Sequence, residues 1–162
     1  MKHIRSFEEL DHILGIHAPF LSAISDGPDN ELHVVITAAK VGEVGSGLDD
    51  ASNALHDILL ESRPITPDNK VQYEIYFENY IIYQVCNESF AIYGEEEIRY
   101  GTHLIIFEKS RLLNGLNTVV NVFKSDDGTC YPGNWTHYGI YTQNHVIDII
   151  SHCPPVIMRH IK

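Results

Sequence analysis

Basic residues are scarce in this chain of 162 residues. Lysine and arginine together number 11 against 22 aspartates and glutamates, so the formal net charge is −11 at neutral pH. Nucleic acids and anionic membrane surfaces bind proteins through lysine and arginine, so this charge argues against both as partners. It favours a basic protein as partner, because opposite charges speed encounter. The alternative is that the acidity only keeps the protein soluble.

Cysteine is scarce as well, and long apolar runs are missing. Cys86, Cys130 and Cys153 are odd in number and form no C-x-x-C pair, which argues against a disulfide framework and a zinc knuckle. No run approaches the roughly 20 apolar residues of a membrane-spanning helix. Residues 1–9 contain no apolar core of a signal peptide. We therefore expect a cytoplasmic protein.

Sequence signatures of catalysis and cofactor binding are also lacking. The glycines between Gly42 and Gly47 do not match a dinucleotide or phosphate-loop fingerprint, and no G-x-S-x-G motif occurs. The ten histidines are scattered and include no H-E-x-x-H motif. The sequence thus predicts no cofactor and no metal site, and it favours a protein that is not an enzyme.

The spacing of apolar residues predicts an α+β fold. We expect a mainly antiparallel sheet, built from hairpins, with two or three helices packed on one of its faces. Caps and helical spacing predict helices near residues 6–14, 49–61 and 109–120. Pro64 and Pro67 are expected to end the second helix. The length fits a single globular domain spanning residues 1–162.

Strands are predicted where β-branched and aromatic residues concentrate. The first hairpin flanks the turn formers of 26–30, and a further strand lies near 102–107. The strongest pattern is that of Val71–Phe77 and Tyr80–Cys86, for which a tight turn at Glu78-Asn79 predicts a hairpin. One face of this hairpin, which includes Cys86, is predicted to lie in the core.

A last hairpin carries the best candidate for chemistry. It pairs about Thr136–Thr142 with His145–His152, and a polar loop is expected before it over 126–134. A two-residue turn makes His137 and Asp148 diagonal neighbours. Such a pair could orient an imidazole for acid–base catalysis or bind a metal, and the alternative is an ordinary hydrogen bond on a partly exposed sheet face. The candidate catalytic residues are His137, Tyr141, Asp148 and His152.

Tyrosines and carboxylates are expected to form a binding surface. Three of them lie on the outward face of the central hairpin, and the others lie between residues 93 and 100. Tyrosine rings provide contact area and carboxylates provide selectivity for a basic protein. The alternative is that a helix or a second subunit covers this face, the latter making a homo-oligomer. The predicted partner-binding residues are Glu74, Tyr76, Tyr83, Tyr93, Glu95, Glu96, Glu97 and Tyr100.

Several segments are similar to segments of small uncharacterised bacterial proteins. These segments are Tyr73–Tyr80 with Asn87–Ser89, Lys109–Leu113, His137–Thr142 and Ile147–Ile150. Some such proteins resemble immunity proteins of polymorphic toxin systems. The resemblance extends over roughly the second half of the chain. It implies a bacterial, noncatalytic protein that binds and neutralises a toxin, and no functional residue is transferred from it.

Overall fold

The computed structural model describes residues 2–44 and 63–161, which form two five-stranded antiparallel sheets, a two-stranded ribbon and two α-helices. In spatial order, sheet A consists of β1 (Lys2–Ile4), β12 (Val156–Ile161), β4 (Ile65–Phe77), β3 (Leu32–Val41) and β2 (Phe20–Asp26). Sheet B consists of β5 (Tyr80–Asn87), β11 (His145–Ser151), β10 (Thr136–Tyr141), β7 (Leu104–Lys109) and β6 (Ile98–Tyr100). The ribbon and helices are β8 (Phe123–Lys124), β9 (Cys130–Tyr131), α1 (Phe7–Leu14) and α2 (Arg111–Val119).

The inner faces of the two sheets share one apolar core. Tyr73, Ile75 and Phe77 alternate along β4 and are buried there. The Phe77 ring in sheet A lies 5.4 Å from the Tyr138 ring in sheet B, and Phe7 of α1 contacts both rings. Burial of these side chains is the main stabilising contribution to the packing of the sheets.

The predicted central hairpin is wrong, although both of its strands exist. β4 pairs with β3 and β12 in sheet A, whereas β5 pairs with β11 in sheet B. Glu78-Asn79 therefore carries the chain from one sheet to the other. Apolar alternation decides which side chains of a strand face a core, but it does not decide which strand lies alongside. A hairpin and a crossover between packed sheets have the same pattern.

Both α-helices begin after a serine that caps them. The Ser6 hydroxyl accepts a hydrogen bond from the Glu9 N–H at 3.1 Å, and the Ser110 hydroxyl accepts one from the Leu113 N–H at 3.0 Å. These helices confirm the predictions near 6–14 and 109–120. The predicted helix over 49–61 lies outside the described residues.

The sequence predicted that the helices pack on one common face of the sheet, but the two described helices pack on different faces. α1 contributes Phe7 and Leu10 to the core between the sheets. α2 packs on the outer face of sheet B, the face that points away from sheet A, where Leu116 contacts a cluster containing Ile150. The α+β class with mainly antiparallel sheet is confirmed, and the second sheet is the feature that the sequence did not indicate.

Three further differences concern Pro67, the strands near the two chain ends and the loop of 126–134. Pro67 lies within β4 instead of ending a helix, beside a register shift of β3 between Thr37 and Ala39. β12 pairs only with residues 71–76 of β4, so Pro67 occupies a stretch with one neighbouring strand, where a missing N–H is tolerated. β1 and β12 were not predicted, and the polar loop of 126–134 contains β9.

Candidate functional site

The last hairpin has the predicted register. Ile140 pairs with Ile147 and Gly139 with Asp148, which leaves a turn at Gln143-Asn144. His137 and Asp148 are neighbours, with 3.0 Å between His137 Nε2 and Asp148 Oδ1. The prediction that these two side chains lie within reach of each other is confirmed.

The pair is buried rather than partly exposed. His137 is 2% exposed because α2 covers the outer face of sheet B and the Phe107 ring stacks on the imidazole at 4.0 Å. His137 Nδ1 lies 2.8 Å from the Ser110 hydroxyl, and Ser110 is 1% exposed. Ser110, His137 and Asp148 thus form one hydrogen-bonded series that ties the first residue before α2 to the sheet.

Two other polar side chains extend this series along the sheet. Gln84 on β5 donates from Nε2 to Asp148 Oδ2 at 3.0 Å. Tyr141 lies on the same outer face, and Arg99 donates a hydrogen bond to its hydroxyl at 3.2 Å. Burial, and after it the negative charge of Asp148, raise the pKa of Tyr141 to about 12. The phenol is therefore a hydrogen-bonding group at neutral pH and a poor acid.

His152 does not join the candidate catalytic residues. It is exposed and lies just beyond the end of β11 at Ser151. Cys86, in turn, does not lie in the core as predicted. It pairs with Val146 and lies on the outer face of sheet B, because β5 belongs to that sheet. Cys86 lines a cavity there together with Gln84, His137 and Asp148.

A serine, a histidine and an aspartate in hydrogen-bonded series resemble a nucleophilic triad, but this one lacks access. The Ser110 hydroxyl already accepts the Leu113 N–H as a helix cap, and its surface is almost wholly covered. A nucleophile must reach a substrate carbon, and the base must be free to take its proton. The arrangement therefore serves as a buried polar anchor of α2.

The predicted tyrosine-rich face is divided between the two sheets. Glu74 and Tyr76 lie on the outer face of sheet A, where the Tyr76 hydroxyl donates to Glu31 at 2.9 Å. Tyr83 lies in sheet B and packs against the inner core, 5.0 Å from the Tyr80 ring. Its pKa is raised, first by a hydrogen bond to Asp26. These three residues therefore do not form one binding surface, and the reason is the crossover at Glu78-Asn79.

Tyr93, Glu95, Glu96 and Glu97 lie together in what we call the acidic aromatic segment, residues 88–100. Tyr100, at the end of this segment, lies apart from them on the inner side of sheet B, beside Glu8 and Leu104. This segment follows β5, begins with a single 3-10 turn at Glu88–Phe90 and ends with the edge strand β6. Its five large apolar side chains are each at least 45% exposed. They are Phe90 (76%), Ile92 (75%), Tyr100 (61%), Tyr93 (46%) and Ile98 (45%).

The carboxylates of this segment differ in their contacts. Glu97 accepts hydrogen bonds from the backbone N–H groups of Gly94 and Arg111, at 3.3 and 3.4 Å, and so helps to hold the segment against α2. Glu96 lies 3.6 Å from the Lys109 ammonium group and is 90% exposed. Glu95 is exposed. Glu88 is exposed as well, so Glu88, Glu95 and Glu96 are the carboxylates of this segment that a partner could reach.

Sequence reasoning missed Phe90, Ile92 and Ile98 as surface residues. The apolar stretch Phe90-Ala91-Ile92-Tyr93 lies between Glu88 and the glutamate run. It has no strand alternation or helical spacing, and this combination of an apolar stretch without periodicity and flanking charges was the available signal. Its exposure depends on the route of the chain past α2.

A second histidine–carboxylate cluster lies on the outer face of sheet A, and the sequence did not indicate it. Glu74 Oε1 lies 2.7 Å from His33 Nδ1, and Glu74 Oε2 lies 2.9 Å from His160 Nε2. The hydrogen bond from His33 lowers the pKa of Glu74, the bond from His160 acts in the same direction, and partial burial opposes both. Three different strands bring these residues together.

Two features were searched for in the described part of the chain: groups of metal-ligating side chains and long apolar helices. Within residues 2–44 and 63–161, no group of three or more histidine, cysteine, aspartate or glutamate side chains has an arrangement that could hold a metal ion. The helices in these same ranges are all too short or too polar to cross a membrane.

Comparison with known proteins finds no matching protein-family model, no matching curated protein and no matching solved structure. The resemblance to immunity proteins therefore stays a prediction.

Proposed function

We infer that this protein is a noncatalytic binding module that recognises a basic protein through the acidic aromatic segment. One observation carries the proposal: Phe90, Ile92 and Tyr93 lie together and are exposed, in a segment whose Glu88, Glu95 and Glu96 are exposed as well. A continuous apolar patch on a protein surface is typical of an interaction site, and aromatic side chains supply much of the binding energy in such sites.

The charge of the segment indicates the kind of partner. Residues 88–100 contain four glutamates and one arginine, so four negative charges and one positive charge give a net charge of −3. A partner with lysine and arginine around an apolar centre complements this surface, and its association is faster at low salt. An immunity-type protein that neutralises a basic toxin by covering it is one instance of this function.

A second candidate function is an enzyme that uses His137, Asp148 and Tyr141. The hydrogen bonds from Ser110 through His137 to Asp148 favour it, whereas the burial of Ser110 and His137 opposes it. A serine-directed reagent such as a fluorophosphonate separates the two. Labelling of the wild-type chain that disappears in Ser110→Ala supports the enzyme, and no labelling argues against Ser110 as a nucleophile.

The binding function is tested with the full chain as bait and a matched pair of double variants. Phe90→Ser with Ile92→Ser removes two exposed apolar side chains from the segment. Ile13→Ser with Ile16→Ser removes two from the α1 region, where they are 44% and 85% exposed. We expect a basic protein to be captured by the wild type and by the α1 control, to be lost with the segment variant, and to be released by high salt.

Two outcomes contradict the proposal. One is equal capture by the segment variant and the α1 control. The other is self-association of the wild type that the segment variant abolishes, as measured by sedimentation, because this result assigns the patch to a homo-oligomer. Protection of backbone amides in residues 88–100 against hydrogen exchange in the complex locates the interface directly.

A further inference from the structure

A cavity of about 290 Å³ lies between the outer face of sheet B, α2 and the acidic aromatic segment. Its floor is the polar part of the sheet, and its walls are mainly aromatic and aliphatic. The floor residues that matter are Gln84, His137, Tyr141 and Asp148, and the wall residues that matter are Phe90, Ile92, Tyr93 and Phe107.

The hydrogen bonds of Ser110 assign the roles of the two ring nitrogens of His137. The Ser110 hydroxyl accepts the Leu113 N–H and has one proton left to donate. His137 Nδ1 is the acceptor within reach, at 2.8 Å. If His137 were an imidazolium, Nδ1 would be a donor and the buried Ser110 proton would lose this acceptor, which carries a free-energy cost. The remaining imidazole proton then lies on Nε2 and is donated to Asp148.

Asp148 has unused capacity to accept hydrogen bonds. Its two oxygens accept one hydrogen bond each, from Gln84 and His137, and a carboxylate has room for about four. The Asp148 side chain is 15% exposed, and within the described residues it makes no ion pair with lysine or arginine. A largely desolvated carboxylate without a cation is unfavourable, so the site is built to gain one.

The two phenols beside Asp148 are affected by charges of both signs. Its charge raises the pKa of Tyr141, after burial. Burial and then the charge of Glu88 raise the pKa of Tyr93, and Asp148 adds to this shift. Arg99 acts in the opposite direction on both phenols: its effect on the pKa of Tyr93 exceeds that of Asp148, and it lowers the pKa of Tyr141 through both its charge and its hydrogen bond. At the mouth, Arg111 and Glu97 carry opposite charges.

The aromatic walls suit a cation on an aliphatic stem. The Arg99 guanidinium lies 5.5 Å from the centre of the Tyr93 ring and 5.7 Å from that of Tyr141, so the faces of these rings already attract a positive charge. Phe90 and Ile92 at the rim offer apolar surface to methylene groups. Lysine and arginine side chains combine such a stem with a charged head.

We propose that this cavity binds the ammonium or guanidinium group of a lysine or arginine side chain, with Asp148 as its counter-ion. The identity of the donor as a side chain of the basic partner rests on the proposed function. The acidic aromatic segment then contributes twice, because its outer side chains contact the partner and its inner side forms the wall of this cavity. A single basic side chain inserted here would act as the anchor of the interface.

The test uses capped amino acids as probes on the full chain, followed by NMR. N-acetyl-lysine methylamide and N-acetyl-arginine methylamide carry the charge, and the norleucine and citrulline analogues are neutral controls of similar shape. We expect the charged probes to shift the resonances of residues 84, 141 and 148. The neutral analogues should bind at least about tenfold more weakly than the charged probes, because a charge-assisted hydrogen bond is lost.

Asp148→Asn is the matched variant. The asparagine carbonyl can still accept the His137 proton, and the Gln84 amide can turn over to present its oxygen, so the hydrogen bonds are kept while the charge is removed. We expect about a tenfold loss of affinity for the charged probes. Glu78→Gln removes one exposed carboxylate at the crossover between the sheets, away from the cavity, and should leave probe binding unchanged.

The possible outcomes separate this inference from the proposed function. Equal binding of charged and neutral probes, or unchanged binding in Asp148→Asn, overturns the cavity proposal even where the Phe90/Ile92 variant loses its partner. The opposite result is that the probes bind at Asp148 but the Phe90/Ile92 variant captures the partner as well as the wild type does. This result supports the cavity proposal and overturns the proposed binding surface. If Asp148→Asn does not fold, the wild-type comparison of lysine with norleucine decides alone.

Discussion

The outer faces of the two sheets carry the same residue types in opposite settings. On sheet A, Glu74 joins His33 and His160, whose side chains are 34% and 37% exposed. On sheet B, His137 lies between Ser110 and Asp148 and is 2% exposed. The sheet B cluster is covered by α2 and adjoins a cavity. The comparison teaches that a histidine–carboxylate pair gains its energetic weight from what covers it, because water screens the exposed pair.

Truncating one histidine on each face tests most strongly whether coverage sets the energetic contribution of the two clusters. His137→Ala leaves a void beside Phe107 and removes a hydrogen-bond partner from both Ser110 and Asp148, so we expect a loss of about 3 kcal/mol in the free energy of unfolding. His33→Ala should cost no more than about 1 kcal/mol. Urea denaturation measures both. Equal losses would mean that coverage does not distinguish the two clusters.

The next largest effect concerns the two serine caps. Ser110→Ala removes the cap of α2 and also the partner of His137, so we expect a loss of about 2 kcal/mol. Ser6→Ala removes only the cap of α1, and we expect about 1 kcal/mol. Both variants can be compared by thermal and urea unfolding. A Ser6→Ala loss as large as that of Ser110→Ala would show that the bond to His137 adds nothing.

The ionisation of Tyr141 at high pH tests the effect of burial on the outer face of sheet B. Its pKa is raised from 10.0 to about 12 in the folded protein, so the folded chain holds this proton after the unfolded chain has released it. Stability from this group is therefore complete below pH 10 and is lost as the pH rises towards 12. We expect ultraviolet titration to show a late phenol that is missing in Tyr141→Phe. A Tyr141→Phe titration identical to that of the wild type in this range contradicts the assignment.

The smallest effect is expected at low pH on sheet A. The pKa of Glu74 is lowered from 4.5, chiefly by the hydrogen bond from His33, so its stabilising contribution is present above that value and is lost as the pH falls through the folded pKa. Glu74→Gln should be less stable than the wild type by under about 1 kcal/mol at neutral pH. The difference should shrink in acid, as followed by urea midpoints, and a constant difference at all pH values argues against this linkage.

Much of the chemistry on sheet B could be predicted from local patterns. The Gln143-Asn144 turn sets the register of the last hairpin, and that register alone makes His137 and Asp148 neighbours. The contribution of Ser110 could not be predicted, since it reaches His137 only through the packing of α2 on the sheet. The hydrogen bond from Gln84 to Asp148 could not be predicted either, because it depends on β5 lying beside β11 and not beside β4.

The sheet A cluster shows the opposite case. His33, Glu74 and His160 lie on β3, β4 and β12, which are far apart along the chain. β12 was not predicted as a strand, so no local pattern could bring His160 to Glu74. The acidic aromatic segment is intermediate. Its tyrosines and glutamates were recognised, but the exposure of Phe90 and Ile92 depends on how the chain leaves β5 and passes α2.

The sequence by itself determined the chain's negative charge. It also determined the helices near residues 6–14 and 109–120, the alternation of buried side chains along β4 and the contact between His137 and Asp148. Each of these depends on residues close together in the chain, whose backbone geometry settles the outcome. Only the tertiary structure decided that β4 and β5 enter different sheets, that α2 covers one histidine cluster, and that residues 88–100 border a cavity. Those outcomes depend on long-range packing between surfaces with similar apolar patterns, and such patterns do not specify their partners.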